Sequence, residues 1–215
     1  MLWHSYAMAA LVLAKPQQSL QRRGLRQPAF VSRYLLIPMA NGCEADMSGY
    51  NAKLDAIPRK GMLDLRGDAE AVRLCGETLG CGFPEEANAK IAVSDHSALI
   101  CLSDDHWIFE TADGLQVEIL QQLELAAADQ FHSFCDVSDM YAHLVLSGPE
   151  AIEVLAQCVA IDIHPRVFGP GSTTRCAFAD TVAQVSCLDS SPTFEISVLS
   201  SYERYSTDWL SMAIG

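Results

Sequence analysis

The stretch Phe134–Gly171, FCDVSDMYAHLVLSGPEAIEVLAQCVAIDIHPRVFGPG, decides the fold. Ala142, Leu144 and Leu146 alternate with His143, Val145 and Ser147, the period of a strand with two unlike faces. Ser147-Gly148-Pro149 stops that strand and starts a helix. Pro149 suits a first helical position, where its missing N–H is not needed, and Glu150 and Glu153 complement the positive helix end. Ile152, Leu155, Ala156 and Val159 continue at helical spacing. Ile161-Asp162-Ile163-His164-Pro165-Arg166 and the turn Gly169-Pro170-Gly171 close the stretch. A strand, a helix and a turn in close succession repeat elsewhere in the chain and set its class.

Working toward the N-terminus, Leu115, Ile119 and Leu123 recur every four residues and predict a helix. Ala98–Leu102 and Trp107–Glu110 predict two strands around the turn Ser103-Asp104-Asp105. Asp68 can cap a helix over 69–79 that buries Val72, Cys75 and Leu79 and ends at Gly80 and Gly82. Pro84–Lys90 reads as connector, Met62–Leu65 as strand, Asn41–Lys60 as loop, and Tyr34–Pro38 as a first strand or anchor. Toward the C-terminus, Thr173–Ala179, Val182–Leu188 and Thr193–Leu199 predict three strands. Ser200 or Ser201 then caps a last helix whose core face is Tyr202, Tyr205, Trp209 and Met212. The order predicts an α+β fold of two related split β-α-β halves with mostly antiparallel sheets. The halves are residues 34–130 and 131–215, behind a poorly ordered basic extension over residues 1–33.

Composition narrows the function classes. The 215 residues are 50% hydrophobic, enough for a sizeable core, and no apolar run is long enough to span a membrane. The net charge is −13, with eighteen acidic residues against three arginines from Ile91 onward. Such a body repels phosphate backbones, which argues against nucleic-acid binding. The five basic groups of residues 1–33 stand apart from it. Eight cysteines at irregular spacings, none in C-x-x-C, read as free thiols in a reducing cytoplasm.

The chemistry-bearing residues are sparse. Phosphate-cradling glycine motifs and a G-x-S-x-G elbow are missing. His132, Cys135, Asp136, Asp139 and His143 are close in sequence, but an extended backbone sends them to alternating faces, so no metal site is assigned. In Asp104-Asp105-His106-Trp107 a carboxylate and an imidazole are neighbours, yet neighbouring strand residues face opposite ways. No catalytic, cofactor-binding or metal-binding residue is assigned. The exit His164-Pro165-Arg166 with Phe168 is the candidate partner interface, since arginine is enriched at interfaces.

An ordered set of words carries a family resemblance. They are Gly61-Met62-Leu63-Asp64-Leu65-Arg66-Gly67, Leu102-Ser103-Asp104-Asp105-His106-Trp107, Cys135-Asp136-Val137-Ser138-Asp139 and Leu146-Ser147-Gly148-Pro149. Ile161 through Gly171, Phe194-Glu195-Ile196, Ser200-Ser201-Tyr202 and Tyr205 through Leu210 complete them. With these the chain resembles the gamma subunit of heterotetrameric sarcosine oxidase over about residues 60–213, and the related gamma-like subunits of N-methylglutamate dehydrogenase. It departs from the family at Ser103-Asp104-Asp105-His106-Trp107, where a glycine-proline-aspartate-glutamate-tryptophan-like word is common, and at Leu199-Ser200-Ser201-Tyr202, which lacks the arginine of the usual arginine-serine-phenylalanine entry. The resemblance implies a fold like the folate-binding domain of aminomethyltransferases. It implies a cytoplasmic, non-catalytic subunit that supports assembly of a flavoprotein complex demethylating sarcosine or a related N-methyl amino acid. The implied partners are the larger alpha and beta subunits and a small delta subunit, with FAD, FMN, NAD and tetrahydrofolate held by those partners. The alternative is a stand-alone folate-binding or one-carbon transfer protein of the same fold, with Asp136 or Asp162 holding the pterin.

Overall fold

The computed structural model describes residues 49–215, and they build two five-stranded antiparallel sheets. The expectations for residues 1–33 and 34–38 lie outside the described residues. In chain order the elements of the first sheet and its helices follow β1 (Lys53–Ile57), which joins the other sheet. They are β2 (Lys60–Gly67), α1 (Ala69–Leu79), β3 (Lys90–Ser94), β4 (Ser97–Ser103), β5 (His106–Ala112), α2 (Gln116–Ala126) and β6 (His132–Asp136). The second series is β7 (Tyr141–Ser147), α3 (Ala151–Leu155), β8 (Thr173–Phe178), β9 (Thr181–Asp189), β10 (Thr193–Leu199) and α4 (Glu203–Ile214).

The sheet orders are β3-β4-β5-β2-β6 and β8-β9-β10-β7-β1. Position by position these are one topology used twice. The strand that would follow α4 is supplied by β1, just as β6 follows α2. A boundary at 130/131 therefore falls between α2 and β6, whereas strand pairing keeps β6 with the first series through Leu63↔Asp136 to Gly67↔His132. Likewise Lys53↔Ser147 to Ile57↔His143 places β1 with the second.

Helices cover the outer face of each sheet. Leu63, Leu65, Leu99, Cys101, Trp107 and Phe109 pack under Ala71 and Cys75 of α1 and Leu123 of α2. Leu144, Leu146, Val185, Phe194, Ile196 and Val198 pack under Val154 and Leu155 of α3 and Leu210 of α4. The inner faces meet each other. A cavity of about 30 Å³ is lined by Met62, Ile100 and Ile108 from one sheet and Tyr141, Gln184 and Ser197 from the other.

Local signals explain several elements. Asp68 Oδ1 accepts from the Ala71 N–H at 2.9 Å and starts α1, and Gly80 ends it at φ +70° in the left-handed region. At Gly148 (φ +123°) a Cβ would stand 2.6 Å from the Asn51 carbonyl oxygen, so only glycine lets β7 end against β1.

Five expectations are corrected. The loop over 41–60 contains β1, and the connector ending at Lys90 runs into β3; both are short edge strands, β1 with Lys53 and Asp55 on one face and β3 with Lys90 at its start. The helix after Pro149 is only Ala151–Leu155, because the chain leaves it to form the isolated bridge Val159↔Phe178, with Ala179 N–H on Cys158 O at 2.7 Å. The core face of α4 centres on Ser206 and Leu210, both fully buried; of the expected stripe, Trp209 packs against the core and Tyr205 is half-buried, whereas Tyr202 and Met212 are exposed. Finally, neither Ser200 nor Ser201 caps α4; Ser200 Oγ donates to Asp139 O at 2.8 Å instead.

Candidate functional site

The loop after α3 presents a rigid tip. Ile163 and Phe168 are buried in the second sheet's core and hold the loop from both sides. Between them His164, Pro165 and Arg166 are exposed, and Val167 is 66% exposed. Asp162 Oδ1 accepts from the His164 N–H at 2.9 Å, and His164 O accepts from the Val167 and Phe168 N–H groups at 2.7 and 2.9 Å. The Arg166 N–H donates to His164 Nδ1 at 3.2 Å. Local hydrogen bonds thus fix the backbone, while the Arg166 guanidinium makes no ion pair among the described residues. Three of the four candidate interface residues share this tip. Phe168, at 8% exposure, supports it from inside, and Val167 takes its place on the surface.

The residues weighed as metal ligands disperse. His132 Nε2 donates to Glu124 of α2 at 3.0 Å and its Nδ1 to Gln130 O at 3.0 Å. Asp136 Oδ1 accepts from the Ser138 N–H at 2.9 Å, and Asp139 pairs with Arg59. His143 faces the inner side of the other sheet. Among the described residues no three His, Cys, Asp or Glu side chains surround a common point. Asp136 and Asp162, the candidate pterin carboxylates, each close a local turn.

His106 finds its carboxylate across strands rather than beside it in sequence. Its Nε2 donates to Asp64 Oδ2 at 2.7 Å, and Arg66 Nη2 donates to its Nδ1 at 3.0 Å. Asp104 and Asp105 stay in the turn.

A second cluster lies between the sheets. Lys60 of β2 pairs with Glu195 of β10, and Lys90 of β3 pairs with Glu110 of β5 at 2.9 Å. Glu110 and Glu195 side chains are only 7% and 8% exposed. His143 of β7 is fully buried behind them, with Nδ1 2.8 Å from Ser197 Oγ and 3.8 Å from Glu195 Oε1. Burial pushes its pKa down, against the pull of Glu195. Its Nε2 has no hydrogen-bond partner. The cluster opens to a cleft of about 460 Å³ whose lining, besides Lys60, Lys90, Glu110 and Glu195, includes Asp95, His96 and Leu188. These four residues are far apart in sequence and only strand pairing unites them. The available signal was a carboxylate inside an apolar run, as in Trp107-Ile108-Phe109-Glu110 and Phe194-Glu195-Ile196.

Comparison with known proteins places this geometry. A family model described as "Sarcosine oxidase, gamma subunit family" matches residues 66–214. A sarcosine oxidase subunit gamma from Corynebacterium sp. (strain P-1) is 30% identical over 93 residues, 43% of this chain and 45% of that protein. The match thus spans less than half of the relative's length. Among solved structures, a chain of heterotetrameric sarcosine oxidase from Corynebacterium sp. U-96 superimposes with a TM-score of 0.70 at 21% identity, over 76% of this chain and 83% of that one. Aminomethyltransferase T of the glycine cleavage system from Bartonella henselae follows at 0.58 and 15% identity, over 76% of this chain and 46% of its own. The two structures share the α+β fold of this chain, so the expected likeness to aminomethyltransferases holds at the level of fold.

Proposed function

Because the chain belongs to the sarcosine oxidase gamma subunit family, we propose that it is the non-catalytic gamma subunit of a heterotetrameric flavoprotein complex and supports its assembly. In this reading larger alpha and beta subunits and a small delta subunit are its partners. Those partners carry FAD, FMN, NAD and tetrahydrofolate, and the complex oxidatively demethylates sarcosine or a related N-methyl amino acid in the cytoplasm. The observation that carries the docking role is the tip His164–Val167. An arginine with no ion pair among the described residues is held out by two buried anchors, Ile163 and Phe168, on a backbone already fixed by hydrogen bonds. A pre-organised tip loses little conformational freedom on binding, and an exposed guanidinium seeks a carboxylate on the partner.

The test is co-expression of all four subunits with Arg166→Glu in this chain. The assembled fraction in size-exclusion chromatography is expected to fall, while thermal unfolding of the isolated variant stays within about 0.5 kcal/mol of wild type, as for a surface substitution. Full assembly of the Arg166→Glu complex overturns the docking role of the tip.

A further inference from the structure

A groove of about 950 Å³ is lined by α1, by the loop that follows it and by the start of β5, and it has no part in the docking of the tip. Its apolar walls are Val72, Phe83 and Trp107, which pack on the first sheet's core. Gly80 and Gly82 also line it, and a Cβ at either would meet nothing within 4 Å. The loop is fixed in place. The Cys81 N–H donates to Gly76 O at 3.0 Å, the Trp107 indole donates to Pro84 O at 2.7 Å, and the Phe83 and Trp107 rings meet edge to face at 5.3 Å. No described side chain fills the space between these walls. A pre-organised apolar groove of this kind marks an interaction surface.

The rim selects the charge of the occupant. The charged residues of the lining are Arg73, Glu77, Glu85 and Asp104. Arg73 is already held by Glu70 and Glu77. Glu85 and Asp104 are exposed and make no ion pair among the described residues. Two uncompensated carboxylates thus share a groove with an apolar wall, on a chain of net charge −13. An acidic segment is repelled there. A small ammonium ion would meet the carboxylates but leave the apolar walls uncovered. A segment with a large apolar side chain between basic ones matches walls and rim together. We propose that this groove is a second docking surface, whose occupant is a basic segment of another protein chain. The segment lays one aromatic or large aliphatic side chain against Phe83 and Trp107 and sets lysine or arginine on Glu85 and Asp104. The groove belongs to the first sheet and the tip to the second, so neither role depends on the other.

The test is selection of a displayed random peptide library on the full chain, with the affinity of the selected peptides then measured by fluorescence anisotropy. The selected peptides are expected to share one large apolar residue with lysine or arginine on either side. Gly82→Trp places a side chain in the open space without touching a charge, and is expected to weaken them roughly tenfold or more, about 1.4 kcal/mol per decade. Glu85→Gln with Asp104→Asn leaves the walls intact. It is expected to weaken them roughly fivefold, as for two exposed ion pairs, and to flatten the salt dependence of binding. No selected family, a family without basic residues, or wild-type affinity in both variants overturns the proposal. Two other occupants are tested alongside. Arg22→Glu, Arg23→Glu and Arg26→Glu together are expected to leave peptide affinity unchanged, and a roughly tenfold gain assigns the groove to this chain's own basic segment instead. Sedimentation of the full chain is expected to show no self-association that Gly82→Trp abolishes; such a dimer assigns the groove to a second copy and overturns the proposal.

Discussion

Lys60, at the first position of β2, reaches across to Glu195 of β10, so one ion pair joins the two sheets. Lys60→Met leaves Glu195 buried and unpaired. The expected cost is about 3 kcal/mol, toward the low end for a broken buried pair because the lysine keeps 27% of its side-chain exposure. Lys60→Met with Glu195→Leu removes both charges and recovers most of that loss. Urea denaturation of the two single variants and the double variant measures it. Equal stability of Lys60→Met and wild type contradicts the expectation.

His132 holds a carboxylate and a carbonyl with its two ring nitrogens, an arrangement that requires both protons. Glu124 accordingly raises its pKa above the ordinary histidine value. A raised folded pKa favours the folded state below the unfolded value of about 6.5, and the advantage disappears as pH rises through the folded value. The stability difference between wild type and His132→Gln is therefore expected to be largest near pH 5.5 and to shrink by pH 8.5. Its size is about 0.5 kcal/mol, as for an ion pair at the surface. His143 works in the opposite sense, since its lowered pKa removes stability as pH falls below about 6.5. Both proteins contain it, so it cancels in the difference. A gap that widens with pH rules the assignment out.

Phe168 and Val167 are neighbours with opposite duties. Phe168→Ala empties a buried ring position and is expected to destabilise the isolated chain by about 3 kcal/mol. Val167→Ser, on the exposed tip, is expected to change stability by less than about 0.5 kcal/mol. Chemical denaturation separates them, and similar losses from both contradict the division into anchor and tip.

The described cysteines are expected to react with a thiol reagent in order of access. Cys135 is exposed on the edge strand β6 and is modified first. Burial pushes Cys75 to about 11, with Glu124 adding to it, and Cys158 to about 12, so both remain thiols and react only on unfolding. Mass spectrometry of partially labelled chain checks the order. Early modification of Cys158 contradicts it.

Residues whose neighbours in sequence are also their neighbours in space were readable in advance. α1 has its cap and its terminating glycine within thirteen residues, and β4 and β5 have their turn between them. The order of short motifs led to the family as well. β1 and β3 were missed because an edge strand touches one neighbour and alternates charges, as Lys53 and Asp55 do, so it reads like loop. The face of α4 was misjudged because its aromatic residues suggested a core stripe. Ser206 and Leu210 are the fully buried positions, Trp209 packs against the core beside them, and Tyr202 and Met212 face outward. The tip's exposed residues were legible, but the inward turn of Phe168 was not. The inter-sheet charges were invisible as a group, since nothing in sequence links position 60 to 195.

That β1 occupies the place β6 holds in the other sheet has a topological consequence. The Tyr50 N–H donates to Ile214 O at 2.7 Å, so the end of α4 already touches the start of β1. With that junction closed, the described residues trace a ring of two equivalent arcs, each one strand–helix–three strands–helix–strand. The opening between α4 and β1 is one of several places where such a ring can be cut. A circular permutant joined there by a short linker and reopened between β1 and β2 keeps every strand pairing and turns each sheet into an uninterrupted run of chain.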